Sequence, residues 1–215
     1  MCCRKLRHGM GKTMERLQKR DAEKTRKHIL EVSFLEIYQN SFQGVSVDQI
    51  VKKTKMTKGA FFHHFPTKNA LGYAYADELL REMMMDRWIK PLRAYKDPVQ
   101  GILHCFKKNI VEIPEEFLGC GCPLNNLCQE MSTVDPKFRE ILSSVMNMWI
   151  DGTREHLERG KQEGHLHKNL NASQMAQYIV TAQEGAYGMG KTLRDRKVLQ
   201  SLHAALKEHL EPYRI

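Results

Sequence analysis

The residues best suited to chemistry lie between positions 55 and 68, where lysines and histidines surround a short run of small residues. Gly59 and Ala60 would let the backbone come close to another surface, and Lys58 would project beside them. Lysine binds phosphate oxygens, and side chains at the start of a groove-bound helix reach base edges. These residue types predict contacts with a nucleic acid, and the candidates are Lys55, Lys58, Gly59, Ala60, His63, His64 and Lys68.

A second group with reactive potential is the cysteine cluster of Cys120, Cys122 and Cys128. A thiolate there would react with oxidants or electrophiles. The simpler interpretation, which we favour, is that Cys122 and Cys128 are small buried apolar residues. The cluster lacks the second Cys or His pair of a zinc site, so we expect no metal, and we expect no cofactor. Irregular cysteine spacing without a secretory signal indicates reduced thiols in a cytoplasmic protein.

Helix-capping patterns predict the elements that position the basic residues. Ser46 and Gln49 have the spacing of a capping box, in which each side chain satisfies a backbone donor of the other. Thr57 can cap a second, short helix after a tight turn, and this helix must end before Pro66. A longer helix, from about Asp21 to Tyr38, precedes the pair. Thr67 can cap the long helix that follows. The sequence therefore predicts a helix-turn-helix, whose second helix enters the major groove of DNA.

Almost every remaining segment has helical spacing of its apolar residues, so the predicted fold class is all-α. The positive charge is concentrated at the start of the chain. The net charge of +9 is carried entirely by residues 1–70, and residues 71–215 are neutral overall. A solvated basic face is the simpler explanation of any charge run. Such a clean division nevertheless favours a polyanion-binding part joined to a neutral part.

The sequence also argues against several function classes. No run approaches the ~18 apolar residues of a membrane helix, so we expect no membrane span. No catalytic triad, phosphate loop, zinc-protease motif or dinucleotide fingerprint is present, so we expect no enzyme. The alternative to sequence-specific DNA binding is a basic helical adaptor that binds nucleic acid or anionic surfaces without sequence specificity. A strong salt dependence together with a sequence preference would separate the two.

Residues 25–75 resemble the N-terminal domain of the TetR family of transcriptional regulators. The resemblance is strongest over Met56–Leu71, Met-Thr-Lys-Gly-Ala-Phe-Phe-His-His-Phe-Pro-Thr-Lys-Asn-Ala-Leu, preceded by Val-Ser-Val-Asp-Gln-Ile at 45–50. Residues 76–215 resemble the family's C-terminal domain more loosely. The resemblance implies a homodimeric repressor that binds a palindromic double-stranded DNA operator and is released by a small molecule. By position it implies DNA contacts from Ser46, Thr57, Lys58, Gly59, His63 and Lys68.

Three residues depart from the family pattern. Phe62 stands where a tyrosine commonly reaches a DNA phosphate, so the candidate contact at this position lacks the hydroxyl. Lys55 stands in the turn where a small residue, often glycine, is usual, and we expect a strained or altered turn there. Ser41 replaces a common glycine before Phe42.

The predicted organisation has three parts: a basic flexible arm at 1–20, a helix-turn-helix DNA-binding domain at 21–70, and a helical ligand-binding and dimerisation domain at 71–215. Methionine and aromatic side chains of the last part can line an adaptable apolar cavity for a small apolar or electrophilic effector, although each alone is more often core. Three polar residues are expected to orient the effector from buried positions. The predicted ligand-binding residues are His104, Phe106, Ile110, Cys122, Asn125, Met146, Trp149, Tyr178 and Glu184.

The cysteine run also has a family counterpart. Residues 121–128 resemble a Gly-Cys-Leu-like element in which some electrophile-responsive relatives carry a sensor cysteine. This resemblance implies Cys122 as a sensor thiol.

Three apolar or small-residue stripes on the later helices are candidates for a dimer interface, with packing inside one subunit as the alternative. They are Ile141, Val145, Met148 and Gly152, then Ala182, Gly185, Ala186 and Gly188, then Val198, Leu199, Leu202, Leu206 and Leu210.

Overall fold

A computed structural model describes the backbone of residues 2–215 and the side chains of residues 21–215. The predicted basic flexible arm at 1–20 lies outside the residues whose side chains are described. Every regular element over residues 2–215 is a helix, and β-pairing in that range is limited to an isolated bridge between Leu166 and Arg214. The predicted all-α class is confirmed. The chain divides into two compact units, residues 1–75 and 76–215, somewhat later than the predicted boundary at 70.

The first unit is a small helical assembly around an apolar core. Its helices are α1 Cys2–Asn40, α2 Val47–Thr54, α3 Lys58–His64 and α4 Lys68–Ala74. Helix α1 contacts both α2 and α3, and their apolar faces meet inside. The buried side chains of this core include Ile29, Leu30, Ile37, Phe42, Val45, Ile50, Phe61, Phe65 and Leu71.

Side-chain caps explain where the short helices begin. Ser46 and Gln49 form the predicted capping box: the Ser46 hydroxyl accepts from the Gln49 backbone N–H at 3.2 Å, and the Gln49 side chain accepts from the Ser46 backbone N–H at 2.7 Å. Thr57 caps α3 and Thr67 caps α4, because each hydroxyl accepts from a backbone N–H three residues later. These predicted helix starts are confirmed.

The second unit contains longer helices, and some turns have π-helical geometry. Helical conformation continues after α4 through the π-helical segment Tyr75–Leu80, α5 Arg81–Met84 and the π-helical segment Met85–Ile89. A 3₁₀ segment, Pro91–Ala94, ends this stretch. The remaining elements are α6 Pro98–Phe106 with a π-helical end Lys107–Val111, α7 Glu115–Leu118, α8 Pro123–Met131, α9 Pro136–Gln162, α10 Ala172–Leu193, α11 Arg196–Leu210 and a final 3₁₀ turn Glu211–Tyr213.

Several residues of the stripes that the sequence predicts as candidates for a dimer interface lie in the core of the second unit. Val145 is fully buried, and a Cβ at Gly152 would lie 2.9 Å from the Ile89 side chain. Leu199, Leu206 and Leu210 are also buried within the single chain. These residues therefore pack inside one subunit, which was the alternative interpretation.

On α10 the small residues are divided between two environments. Ala186 is buried, whereas Gly185 and Gly188 are exposed, and a Cβ added at either glycine would meet no atom of the described side chains within 4 Å. The exposed side of α10 therefore stays available to another chain. None of the helices in the described part of the chain is long and apolar enough to cross a membrane.

Candidate functional site

The turn between α2 and α3 sets the direction in which α3 leaves the core. Lys55 has φ 58° and ψ 26°, so it adopts the left-handed conformation that glycine favours. Ser41, the second residue that replaces a common glycine, has φ 68°. The expected strain at Lys55 is therefore confirmed: the backbone keeps the glycine-like turn although the residue is a lysine.

Helix α3 has one face in the core and one face in solvent. Phe61 and Phe65 are one helical turn apart, and both are buried. Lys58, Gly59 and His63 are exposed. The predicted contact residues of α3 thus share the outward side, with Ala60 and His64 half-buried at its edge.

Lys58 is held in place by an acidic neighbour that sequence reasoning missed. Its Nζ lies 2.7 Å from Oδ1 of Asp48, which is in the first turn of α2. The side chains are 61% and 66% exposed, so water screens the pair and it contributes only ~0.2–1 kcal/mol. A bidentate base contact discriminates by ~1–3 kcal/mol, so a nucleic acid can replace Asp48 as the partner of Lys58.

The other predicted lysines differ in how available they are. Lys55 is exposed at the turn. Lys68 is half-buried: its Nζ donates to the Gln43 carbonyl at 3.2 Å and lies 4.9 Å from the centre of the Phe42 ring. Lys68 therefore braces the loop before α2, and a DNA contact from it would compete with that bond.

The hydroxyls of Ser46 and Thr57 act as helix caps, so DNA contact would have to share them. Phe62 is 43% exposed and presents an apolar ring to solvent. The rings of His63 and His64 contact each other at 5.3 Å. Burial, the charge of His63 and that of Arg26 all lower the pKa of His64, so at neutral pH this residue adds no positive charge to the surface.

In the second unit, four predicted ligand-binding residues are buried: Phe106, Ile110, Cys122 and Trp149. Trp149 lies against Trp88, with ring centres 5.0 Å apart, and Trp88 lies 6.4 Å from Tyr187. Sequence reasoning did not select Trp88, whose indole Nε1 is buried without an acceptor among the residues with described side chains.

Glu184 is the most unusual polar group of this interior. Both carboxylate oxygens are buried, and no nitrogen or oxygen donor of residues 21–215 reaches either of them. Burial raises the pKa of Glu184 to about 7, and a hydrogen bond from the Cys122 thiol acts in the opposite direction. The side-chain oxygen of Gln183 is likewise buried without a donor. The predicted residues Glu184 and Cys122 are therefore brought together, with Cys128 close by.

Not every predicted ligand residue lies in this interior. His104 is exposed and its ring packs 5.3 Å from that of Tyr95, so the prediction that His104 is buried was wrong. Tyr178 is 45% exposed and lies 4.3 Å from the His209 ring. Both residues lie on outward sides of their helices, a difference that apolar spacing alone did not reveal. Asn125 and Met146 are half-buried.

The cysteines differ in accessibility. Burial, followed by the charge of Glu184, raises the pKa of Cys122 well above its usual value and that of Cys128 to about 12. Cys120 is only half-buried, and its thiol donates to the Glu116 carbonyl at 3.8 Å. The described residues contain no cluster of three or more His, Cys, Asp or Glu side chains that could hold a metal ion.

Comparison with known families gives two matches. Residues 29–73 match the family described as bacterial regulatory proteins, tetR family. Residues 103–206 match the family described as tetracyclin repressor-like, C-terminal domain. The two matches cover most of both units and agree with the resemblance in the sequence.

Individual relatives are similar over nearly their full length. The transcriptional repressor DhaR of Mycobacterium sp. is 23% identical over 187 residues, which cover 87% of this chain and 92% of the relative. A TetR regulator structure from Chloroflexus aurantiacus has a TM-score of 0.80 at 24% identity and covers 91% of this chain and 98% of that one. The reduced form of Escherichia coli NemR has a TM-score of 0.76 at 22% identity, over 86% and 96% of the two chains.

The Lys58–Asp48 pair gives a test of the α3 surface. We expect Lys58→Ala to weaken binding to a selected DNA site several-fold, because a groove contact is lost. Asp48→Asn should strengthen binding by up to about fivefold, since it frees Lys58 from a weak exposed pair. Gel-shift titration at fixed salt measures both.

The matched control is Asp86→Asn, which breaks a similarly exposed ion pair with Lys90 in the second unit. It makes the same charge change and should leave the affinity almost unaltered. In the Lys58→Ala background, Asp48→Asn should also lose most of its effect. Unchanged affinity in Lys58→Ala would exclude Lys58 from the interface.

Proposed function

Because the chain belongs to the TetR family of transcriptional regulators, we propose that it is a repressor that binds a palindromic DNA operator as a homodimer and leaves it when an effector binds the second unit. Regulators of this family bind DNA and act as dimers with small-molecule effectors. They are not enzymes. The protein would act in the cytoplasm, where the operator is accessible.

The observation that carries the proposal is the exposed side of α3. Its core residues Phe61 and Phe65 hold the helix so that Lys58 and Gly59 face solvent. A helix with a small residue and a lysine in its first turn suits major-groove entry, while nearby lysines supply affinity through phosphates. The names of the relatives support repression, since DhaR and NemR are both described as repressors.

The proposed dimer interface lies on the outward sides of α10 and α11. Gly185 and Gly188 on α10 are exposed and open. On α11, Ser201, Ala204 and Ala205 are exposed small residues. Small side chains allow two helices to approach closely, and pairs of such helices from two subunits would form a four-helix interface.

The proposed effector site is centred on Glu184. A buried carboxylate whose only donor is a thiol, itself a weak donor, is destabilising unless it is protonated or meets a stronger partner. We therefore propose an effector with an apolar body and a hydrogen-bond donor that reaches the Glu184 carboxylate. By preferring one conformation of the second unit, such an effector would lower the population that binds DNA.

The alternative effector is an electrophile or an oxidant. A similar structure, that of NemR, is described as a reduced form, which suits this alternative. The thiols of Cys122 and Cys128 are protonated and shielded, which is typical of unreactive cysteines. Cys120 is therefore the better candidate in that case. It is half-buried whereas Cys122 is buried, and burial with the charge of Glu184 disfavours the thiolate of Cys128.

Selection of bound fragments from genomic DNA tests the central proposal. We expect the enriched fragments to share a palindrome, because the symmetry of the site mirrors the two-fold symmetry of a dimer. Affinity should fall steeply with salt, whereas the preference over random DNA should persist. Enrichment of no common sequence would favour the non-specific basic adaptor.

A charge placed on the open side of α10 tests the interface. We expect the unaltered protein to sediment as a dimer at micromolar concentration. Gly185→Glu should raise the dissociation constant of the dimer at least tenfold. Ser143→Glu on the polar side of α9 is the control and should remain dimeric. An unchanged dimer in Gly185→Glu would place the interface elsewhere.

The raised pKa of Glu184 predicts a pH dependence of stability. The stabilising contribution of the neutral carboxyl is complete below pH 4.5 and is lost as the pH rises through about 7. The loss amounts to about 3 kcal/mol, and Glu184→Gln should remove it. Urea unfolding followed by tryptophan fluorescence reports on this unit, since both tryptophans, Trp88 and Trp149, belong to it.

The control for this measurement is Glu208→Gln, which changes an exposed carboxyl on α11 and should keep the pH dependence. If Glu184→Gln also kept it, Glu184 would not be the buried titrating group, and the proposed effector site would lose its basis.

A further inference from the structure

One cavity of the C-terminal unit lies apart from the predicted ligand-binding residues. It has a volume of about 190 Å³ and opens between the 3₁₀ segment Pro91–Ala94 and the later part of α9. Ile89 and Leu92 form an apolar wall of this cavity. Its polar lining consists of Arg93, Glu155, His156 and Arg159. None of the residues predicted to bind the effector lines it.

The Arg159 guanidinium is fixed in this cavity by hydrogen bonds from one of its nitrogens. Nη2 donates to the Tyr95 carbonyl at 2.9 Å and to the Leu92 carbonyl at 3.4 Å, and it lies 2.9 Å from Nδ1 of His156. None of these partners, two backbone carbonyls and an imidazole nitrogen, carries a full negative charge. A guanidinium held in a single orientation can recognise a planar anion without losing further side-chain freedom.

Arg159 has no counter-ion among the described residues. No Asp or Glu oxygen of that part of the chain lies within 4 Å of its guanidinium, and its Nε is buried without an acceptor. Arginine stays charged in proteins, so it cannot relieve this burial by losing a proton. Arg159 is half-buried. A partly buried positive charge without a counter-ion costs free energy, and a bound anion would offset that cost.

His156 does not take the place of that anion. A guanidinium only donates hydrogen bonds, so Nδ1 of His156 accepts, and the ring carries its proton on Nε2. Burial and, next, the charge of Arg159 lower the pKa of His156 to about 4, while Asp97 acts in the opposite direction. The ring is therefore neutral at physiological pH, and it orients Arg159 without adding or removing charge.

The remaining charged groups of the cavity are Arg93 and Glu155, both of which are exposed. Arg93 adds a second positive charge beside the apolar wall of Ile89 and Leu92. The negative charge of Glu155 would repel an incoming anion. The balance of the lining favours a single negative charge with a small apolar group attached.

We propose that this cavity binds a small monocarboxylate, with the carboxylate against the guanidinium groups of Arg159 and Arg93 and the apolar part against Ile89 and Leu92. The site is independent of the proposed effector site at Glu184. It gives the regulator a second ligand site, for an acid rather than a hydrogen-bond donor.

Benzoate and benzamide, which have nearly the same shape but differ in charge, are the probes. Titration calorimetry on the full chain without DNA, at constant ionic strength, should show benzoate binding at least tenfold more tightly than benzamide. Equal affinity for the two probes, or binding of neither, would overturn the proposal. Because no DNA is present, the result does not depend on the proposed repressor function.

Two exposed charges of the lining give opposite expected shifts. Arg93→Gln should weaken benzoate binding about threefold to fivefold, and Glu155→Gln should strengthen it by a similar factor. Both effects are modest because solvent screens the interaction of each exposed charge with the carboxylate. Arg139→Gln and Glu140→Gln, on the exposed side near the start of α9, make the same charge changes and should leave the affinity unaltered. Equal shifts in the lining variants and their controls would indicate only long-range charge and would overturn the proposal.

Arg159→Lys tests the central residue. It keeps the positive charge but loses the planar donor group, so benzoate affinity should fall at least tenfold. Unaltered affinity in the folded variant would exclude Arg159. Should its hydrogen bonds to Tyr95 and Leu92 prove essential for folding, the variants at Arg93 and Glu155 decide the question.

Discussion

The burial of Phe61 and Phe65 is the interaction on which the DNA-facing surface depends. These two rings are 0% and 2% exposed and occupy the same side of α3. Burying a side chain of this size stabilises by roughly 1.5–3 kcal/mol, far more than any exposed ion pair on the same helix. The core therefore determines the rotation of α3, and Lys58 and Gly59 face outward as a consequence.

The same balance explains two departures from the usual residue types. Lys55 and Ser41 adopt left-handed backbone conformations, which disfavour a side chain by roughly 1–2 kcal/mol. The apolar core formed by the flanking segments, including Phe42, Val45 and Ile50, outweighs that strain. The helix-turn-helix thus tolerates a lysine and a serine at positions where glycine would be unstrained, because tertiary packing rather than local preference sets the backbone there.

In the second unit, buried ionisable groups are accommodated in different ways. Glu184 shifts towards its neutral form, and His156 gives up its proton. Arg159 has no neutral form available, so backbone carbonyls and the imidazole of His156 surround it instead. Each arrangement leaves a buried nitrogen or oxygen without a nitrogen or oxygen partner in the described part of the chain, and such atoms are rare in protein interiors. That rarity is why both places are proposed as ligand sites.

The sequence by itself determined the helical class, the capped starts of α2, α3 and α4, and the outward residues of α3. These follow from local rules: caps, a proline stop and helical spacing act over three or four residues. Only the tertiary structure decided that Asp48 holds Lys58, that His104 is exposed, that Val145 and Leu199 pack inside one subunit, and that Arg159 lacks a counter-ion among the residues whose side chains are described. Those properties depend on which helix faces meet in space, and residues distant in the chain decide that.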